Sequence, residues 1–441
     1  MNPQSFGVLV DHVANALPVG IGFTLNASGE QSDFVRFNHA KVRQPGTVQQ
    51  GDADLRLIDG KRHTTAQLTL SGNAETDKAR LSDSIATVLA LLPQVPEDPH
   101  LLLSEEVHPT VQSTPTDIPS AQAVVQAVCE EGKGTDLVGI YAGGTLWRAF
   151  ANHHGQRNWF DSGSLLLDYS LVHSADKAVK SSIGGTSWDR AELASSVSVA
   201  KQQLVALDKP SRTVEPGSYR AWLAPAAVAE LLELMSMDGF SERAHQMGAS
   251  CLQRVASGEA SMDPRVRLTE DTAGGLGPAF QSAGFVKPDH VVLVADGKLA
   301  GKLVSPRSSA EYGVDANGAS AGESPSSLVM APGELATEEA LTALGTGIWV
   351  SNLWYLNYSD RNSARVTGMT RFATFWVEDG KIVAPLSVMR FDASLLKLFG
   401  EDLEAIGAEI AFLPSASTYG SRSTDSIRVP GMLVKALPFT L

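Results

Sequence analysis

The feature that most constrains the fold is a pair of apolar runs late in the chain. They are FATFWV (372–377) and KIVAPLSVM (381–389), separated by Glu378-Asp379-Gly380. An Asp-Gly pair between two β-prone runs suits a two-residue type I′ turn, in which both central residues take positive φ. In the first run Phe372, Thr374 and Trp376 alternate with Ala373, Phe375 and Val377, so neither face is polar. Such a strand is covered on both sides. The pair is predicted to be the central hairpin of a C-terminal β-domain. Just upstream, Asn352, Asn357, Asp360, Arg361, Asn362 and Arg365 read as a polar loop ending at Thr367-Gly368.

At 441 residues the chain exceeds one compact core, and two or three domains are expected. Residues 1–95 form a first α/β segment. A helix over 4–17, with Phe6, Leu9, Val10, Val13 and Leu17 on one face, precedes the strand runs GIGFTLN, DFVRFNHAKVRQ, ADLRLI and HTTAQLTL. The last two join at Asp59-Gly60, and a helix over 77–92 follows. Prolines 93, 96, 99, 109, 115 and 119 mark residues 96–119 as a linker with little regular structure. Residues 120–210 repeat the pattern: a helix capped by Ser120, the runs DLVGIYA, TLWRAFAN, QRNWFD and SLLLDYSLVHS, and a helix over 189–207. Helix, four strands, helix thus occurs twice, which suggests a structural duplication.

The remainder, 211–441, reads as a mainly antiparallel β-domain carrying a helix over 225–238 opened by Pro225. A further helix runs from Ser241 through Cys251 to Gly258, and the 305–327 stretch reads as an ordered but irregular excursion. The fold class predicted is α+β.

Composition excludes several functions. A net charge of −14 with no Lys/Arg cluster argues against a nucleic-acid surface. Cys129 and Cys251 stand far apart, so no disulfide framework is expected. No apolar run approaches the ~18 residues of a membrane span, and no charged segment leads into an apolar stretch at the N-terminus. A cytoplasmic protein is the expectation.

Several of these stretches resemble the TldD/PmbA (TldE) family, relatives of a metallopeptidase. They are Gly368 before FATFWV, the Glu378-Asp379-Gly380 turn, Ala384-Pro385, VRFNHAKVRQ, and GIYAGGTLWRAFANHHGQ. In the TldD branch an "AP…LL" lead-in precedes His-Glu and a second His on one helix, where the histidines hold Zn²⁺ and the Glu serves as general base. This chain keeps Ala224-Pro225 and Leu231-Leu232, but Glu233, Leu234 and Asp238 stand where the resemblance places His, Glu and His. A late Cys completes the TldD site, and no Cys follows Cys251 here. On a regular helix Glu233 and Asp238 would point about 140° apart, so two solvated carboxylates are expected and no zinc.

The adjacent His153 and His154 are expected to face opposite ways at a surface turn, and His245 to be exposed or on a helix flank. The Gly-rich loop 274–277 lacks the Lys-Ser/Thr ending of a phosphate loop. The resemblance therefore implies the PmbA/TldE-like branch: a non-catalytic subunit or regulator of a TldD-type metallopeptidase acting on unfolded peptide. Asn352, Trp354, Tyr355, Tyr358 and Arg371 are the candidate interface or peptide-groove residues. The alternatives are a hydrolase with relocated catalytic residues, and a peptide-binding homodimer without a peptidase partner.

Overall fold

The computed structural model describes residues 1–114, 117–174 and 177–440; Pro115 of the expected linker and the terminal Leu441 lie outside them. The N-terminal half is built from two similar motifs. The first holds α1 (Pro3–Ala16), β1 (Gly22–Asn38), β2 (Lys41–Asp59), β3 (Arg62–Thr69) and α2 (Ala74–Leu91). After β4 (Thr110–Thr114) the second holds α3 (Ala121–Glu131), β5 (Asp136–Asn152), β6 (Arg157–Ser174), β7 (Lys177–Gly185) and α4 (Arg190–Leu207). The repeat is thus helix–three strands–helix, and the four strands expected per copy were fragments of longer ones. The stretch expected as an irregular linker contributes β4, which pairs in parallel with β6.

Both motifs share one sheet of order β3-β2-β1-β5-β6, with β4 and β7 along successive parts of β6. β1 and β5 meet antiparallel at its centre, Gly29 opposite Trp147. Leu25, Ala27, Val35 and Phe37 alternate onto one face of β1. α1 and α2 cover the first two, and α3 and α4 the last two. On the other face Phe150 and Phe160 meet Phe280 of the C-terminal domain.

Two departures from the sequence expectation explain the long strands. DFVRFNHAKVRQ is split by a turn at His39-Ala40, both at positive φ (50° and 53°). Tertiary contacts hold it: the Ala40 amide donates to Leu137 O at 3.0 Å, and His39 pairs with Asp136 at 2.8 Å. Gly143-Gly144, which looks like a turn, runs straight through β5. A Cβ on Gly144 would lie 2.1 Å from Gln31 O of β1, so the glycine permits the close approach of two backbones. The Gly144 carbonyl also accepts from the buried Arg422 guanidinium, which donates to Ser164 O (2.6 Å) as well and ties the C-terminal domain to the sheet.

The C-terminal domain begins with β8 (Gly217–Leu223), α5 (Pro225–Ser236), α6 (Glu242–Gln246) and α7 (Gln253–Ala256). The single helix expected from Ser241 is broken between α6 and α7 at Gly248, where φ is 67°. Next come β9 (Leu268–Asp271), β10 (His290–Ala295), β11 (Lys298–Leu299), α8 (Pro306–Tyr312), β12 (Ser327–Met330) and α9 (Ala340–Leu344). α8 gives regular structure to part of the 305–327 excursion. β13 (Gly347–Val350), β14 (Trp354–Asp360), β15 (Arg365–Thr370), β16 (Thr374–Glu378), β17 (Lys381–Pro385) and β18 (Met389–Ser394) follow. The chain closes with α10 (Leu395–Leu398), β19 (Leu403–Ile406), β20 (Ala411–Pro414), β21 (Ser426–Val429) and β22 (Met432–Phe439).

These strands form two sheets, β14-β15-β18-β22-β8-β13-β16-β17 with β19 on β22, and β11-β10-β9-β12-β21-β20. All pairings are antiparallel except β8 with β13 and β12 with β21. The architecture is α+β with a mainly antiparallel β C-terminal region. β16 and β17 meet at Asp379-Gly380, both at positive φ (49° and 72°), as the Asp-Gly pair predicts. β16 is covered on both faces: Phe375 packs into the core under α3 and α4, and Trp376 into the core of the C-terminal domain. Among the described residues no helix is long and apolar enough to cross a membrane.

Candidate functional site

α5 lies between the two C-terminal sheets, and its composition accounts for that position. Ala227, Val228, Ala229, Leu231, Leu232 and Met235 are buried, so the helix is apolar around most of its circumference, the signature of a core helix. Pro225 starts it at N1, where the missing N–H costs nothing. The remaining strip carries Glu230 and Glu233, one turn apart on one face.

That strip lies within reach of the charges of the N-terminal sheet. Glu230 Oε2 accepts from the Leu353 amide at 2.6 Å, and Lys180 of β7 and Asp168 of β6 bear on its charge. Lys180 Nζ stands 3.8 Å from Asp168 Oδ2 and 5.9 Å from the centre of the Phe372 ring. Burial pushes the Glu230 carboxyl up to about 8, against the opposing pull of the Leu353 N–H and Lys180. At neutral pH it therefore holds its proton. Burial raises Glu233 as well, although solvent still reaches its side chain: protein atoms crowd the carboxylate without sealing it off. Sequence reasoning passed over Glu230. The available signal was its i, i+3 relation to Glu233; its link to Lys180 could come only from the fold.

Glu233, Leu234 and Asp238, expected from the resemblance to replace two ligands and a general base, do not come together as a metal site. Leu234 offers no side-chain donor, and its carbonyl accepts from Tyr358 Oη at 3.0 Å. Asp238 lies past the end of α5, half-buried and ion-paired with Arg361, so it is not the freely solvated carboxylate expected. Cys251 is buried against the same helix end. Its thiol faces Met235 O at 3.7 Å and burial pushes it up to about 11, so it stays a neutral thiol at physiological pH. These residues do not fit a zinc ion.

The segment expected as a polar loop is a hairpin, β14 paired with β15, and β14 is the end strand of its sheet beside α5. Alternation of short polar and aromatic residues, WYLNYSD, was the signal for it. A register shift between Trp354 and Asn357, with Tyr355 at φ 58°, turns both Trp354 and Tyr355 outward. They are 38% and 72% exposed, their ring centres 5.6 Å apart. Arg371 is exposed and stacks over Trp354 at 4.4 Å. Asn352 is buried and Tyr358 half-buried under Arg361, so these two support the surface instead of forming it.

His153 and His154 are exposed at a turn as expected but do not face opposite ways, and His245 is not exposed. His153 and His154 have ring centres 4.0 Å apart, because the turn at Gly155 is not an extended chain and strand alternation does not apply. His245 is buried, its Nε2 against Gly239 O at 2.9 Å.

A model of the PmbA/TldA metallopeptidase C-terminal domain matches residues 216–440, just over half of the chain. No curated protein matches it. Among solved structures, a proposed modulator of a DNA gyrase from Thermotoga maritima superposes with a TM-score of 0.78 at 15% identity, covering 99% of this chain and 100% of that one. TldE from Thermococcus kodakarensis gives 0.78 at 13% identity with 99% and 100% covered. A proposed modulator of DNA gyrase from Bacteroides thetaiotaomicron gives 0.74 at 17%, with 99% and 98% covered. At such identities the structures speak for the fold, and the domain match for descent: the chain belongs to the metallopeptidase-related PmbA/TldD family.

Proposed function

We propose that this chain is a non-catalytic subunit or regulator that pairs with a TldD-type metallopeptidase and helps hold unfolded peptide. The observation that carries this reading is the state of α5. Leucine stands at the general-base position, and the neighbouring carboxylate of Asp238 is spent on Arg361. What remains beside the helix is an open strand edge. β14 presents unpaired backbone groups that an extended peptide can extend as a further strand. Trp354, Tyr355 and Arg371 form an aromatic and cationic surface of the kind that anchors interfaces.

The test is reconstitution with a TldD-type subunit carrying an intact His-Glu-x-x-x-His helix. The chain alone should retain no stoichiometric zinc by elemental analysis and cleave no unfolded peptide. Mixed with the partner it should form a complex with raised peptidase activity. Trp354→Ala with Tyr355→Ala should weaken that complex or its peptide affinity while leaving the circular dichroism unchanged, since both side chains are exposed. Chelator-resistant peptidase activity of the chain alone would favour relocated catalytic residues. A folded homodimer indifferent to any such partner would favour a peptide-binding protein acting by itself.

A further inference from the structure

On the flank where β2, β3, the segment after α2 and the start of α8 meet, the chain lines an open cavity of ≈ 210 Å³. Its wall carries Arg56, Arg243, Arg307, His63 and His100, against one carboxylate, Asp98. This is a concentration of cationic side chains in a molecule of net charge −14. Asp98 is fully committed: Oδ2 accepts from Arg307 at 2.6 Å and from His63 at 3.3 Å, and Oδ1 from the His100 amide at 3.1 Å. Arg56 is half-buried and reaches only Thr65 Oγ1, at 3.5 Å. Among the described residues neither Arg56 nor Arg243 makes an ion pair with any carboxylate.

A half-buried guanidinium with one long hydrogen bond is costly, because its other N–H groups lose water without a protein acceptor. An anion in the cavity would restore those bonds. Arg307 also pairs with Glu311 at 3.8 Å, so the uncommitted positive charge at the wall is that of Arg56 and Arg243. A carboxylate has two oxygens and suits one guanidinium fork. Two uncommitted forks, arriving from β2 and α6, suit a group with three oxygens and up to two charges. The volume has room for on the order of seven waters, enough for a phosphate group with a small substituent. We propose that this cavity is a binding site for a phosphate group, either free phosphate or a small phosphomonoester. Arg56 and Arg243 supply the donors, and Asp98 positions Arg307 and His63. The ligand would bridge the N-terminal sheet and the C-terminal domain. The site is remote in sequence from α5 and β14, so it stands or falls independently of the subunit reading.

The test is calorimetric titration of the full chain with inorganic phosphate, glycerol 3-phosphate and acetate at constant ionic strength. One saturable site for phosphate or the phosphomonoester is expected, with acetate at least tenfold weaker. Which of the two phosphates binds more tightly identifies the source. Arg56→Gln and Arg243→Gln should each weaken it at least tenfold. Arg243 is exposed, so Arg243→Gln should keep the wild-type unfolding midpoint and carries the test if the Arg56 variant folds poorly. Absence of saturable heat at millimolar phosphate, acetate binding as tightly as phosphate, or unchanged affinity in a folded Arg243→Gln chain would overturn the proposal.

Discussion

Two carboxyl groups at the meeting of the N-terminal and C-terminal halves have gone opposite ways. Glu230 on α5 is pushed up to about 8, and Asp98 at the arginine cavity is held down at about 2. Burial acts on both in the same direction, against the charged form. At Glu230 it prevails, because the opposition is one backbone N–H and the charge of Lys180, while Glu233 and Asp168 add negative charge. At Asp98, hydrogen bonds from His63, Arg307 and the His100 amide outweigh it. The two differ in crowding and in donors together: protein atoms press closely on Glu230, while Asp98 is less crowded and is met by three aimed donors. That difference also separates the two regions chemically. The α5 strip is a place for neutral hydrogen bonding, and the cavity is a place for anions.

The largest test of the contrast is Glu230→Gln. The folded chain keeps a proton that the unfolded chain releases above about pH 4.5, so stability from this residue is complete below that pH. It falls as pH rises toward about 8 and is fully lost beyond it. Glutamine keeps the acceptor for the Leu353 amide and removes the titration. The variant should match wild type near pH 4 and exceed it by a few kcal/mol, on the order of 2–3 after solvent screening, at pH 9. Urea unfolding of both proteins across that range reads the difference. A constant difference would mean that Glu230 ionises normally.

The sequence carried much of this architecture where the local chemistry was self-sufficient. Asp379-Gly380 can take positive φ unaided, and the periodic face of α1 names its own buried residues. It failed where the determinant is a contact made across the fold. Nothing local in His39-Ala40 asks for positive φ; the bond from the Ala40 amide to Leu137 and the pair with Asp136 impose it. Gly143-Gly144 resembles a turn until β1 and Arg422 are seen pressing on it. At the candidate site, it was the resemblance that singled out Glu233, Leu234 and Asp238, and Asp238 stands beyond the end of α5. Glu230 was not singled out, because Lys180 and Asp168 come from strands some fifty residues or more upstream.

The second test acts at the other pole of the contrast. Asp98 is depressed in the folded chain, so its stabilisation is present above about pH 3.8 and is lost as pH falls through about 2. Its side chain is 20% exposed, so solvent weakens the effect. Asp98→Asn should cost on the order of 1–2 kcal/mol at pH 7 and progressively less below pH 4. It should also loosen phosphate binding indirectly, by freeing Arg307 and His63. A variant as stable as wild type at neutral pH would show that the donors around Asp98 are better satisfied by water.

The smallest effect is the most discriminating. If aimed donors and charges decide the carboxyl's state, the charge of Lys180 opposes burial at Glu230, and removing it must drive the carboxyl still higher. Lys180→Met keeps an unbranched apolar stem and deletes the charge that stands 5.9 Å from the centre of the Phe372 ring. Asp168 then loses its partner at 3.8 Å, and burial raises it further as well. The pH window over which Glu230 destabilises the fold should move upward by a fraction of a unit. ¹³C NMR of the side-chain carboxyls, with Glu230→Gln used to assign the resonance, follows that shift without relying on global stability. An upward move confirms that Lys180 opposes burial at this site. A Glu230 titration indifferent to Lys180 would leave burial as the sole cause, and the contrast with Asp98 would reduce to one crowded carboxyl and one hydrogen-bonded one.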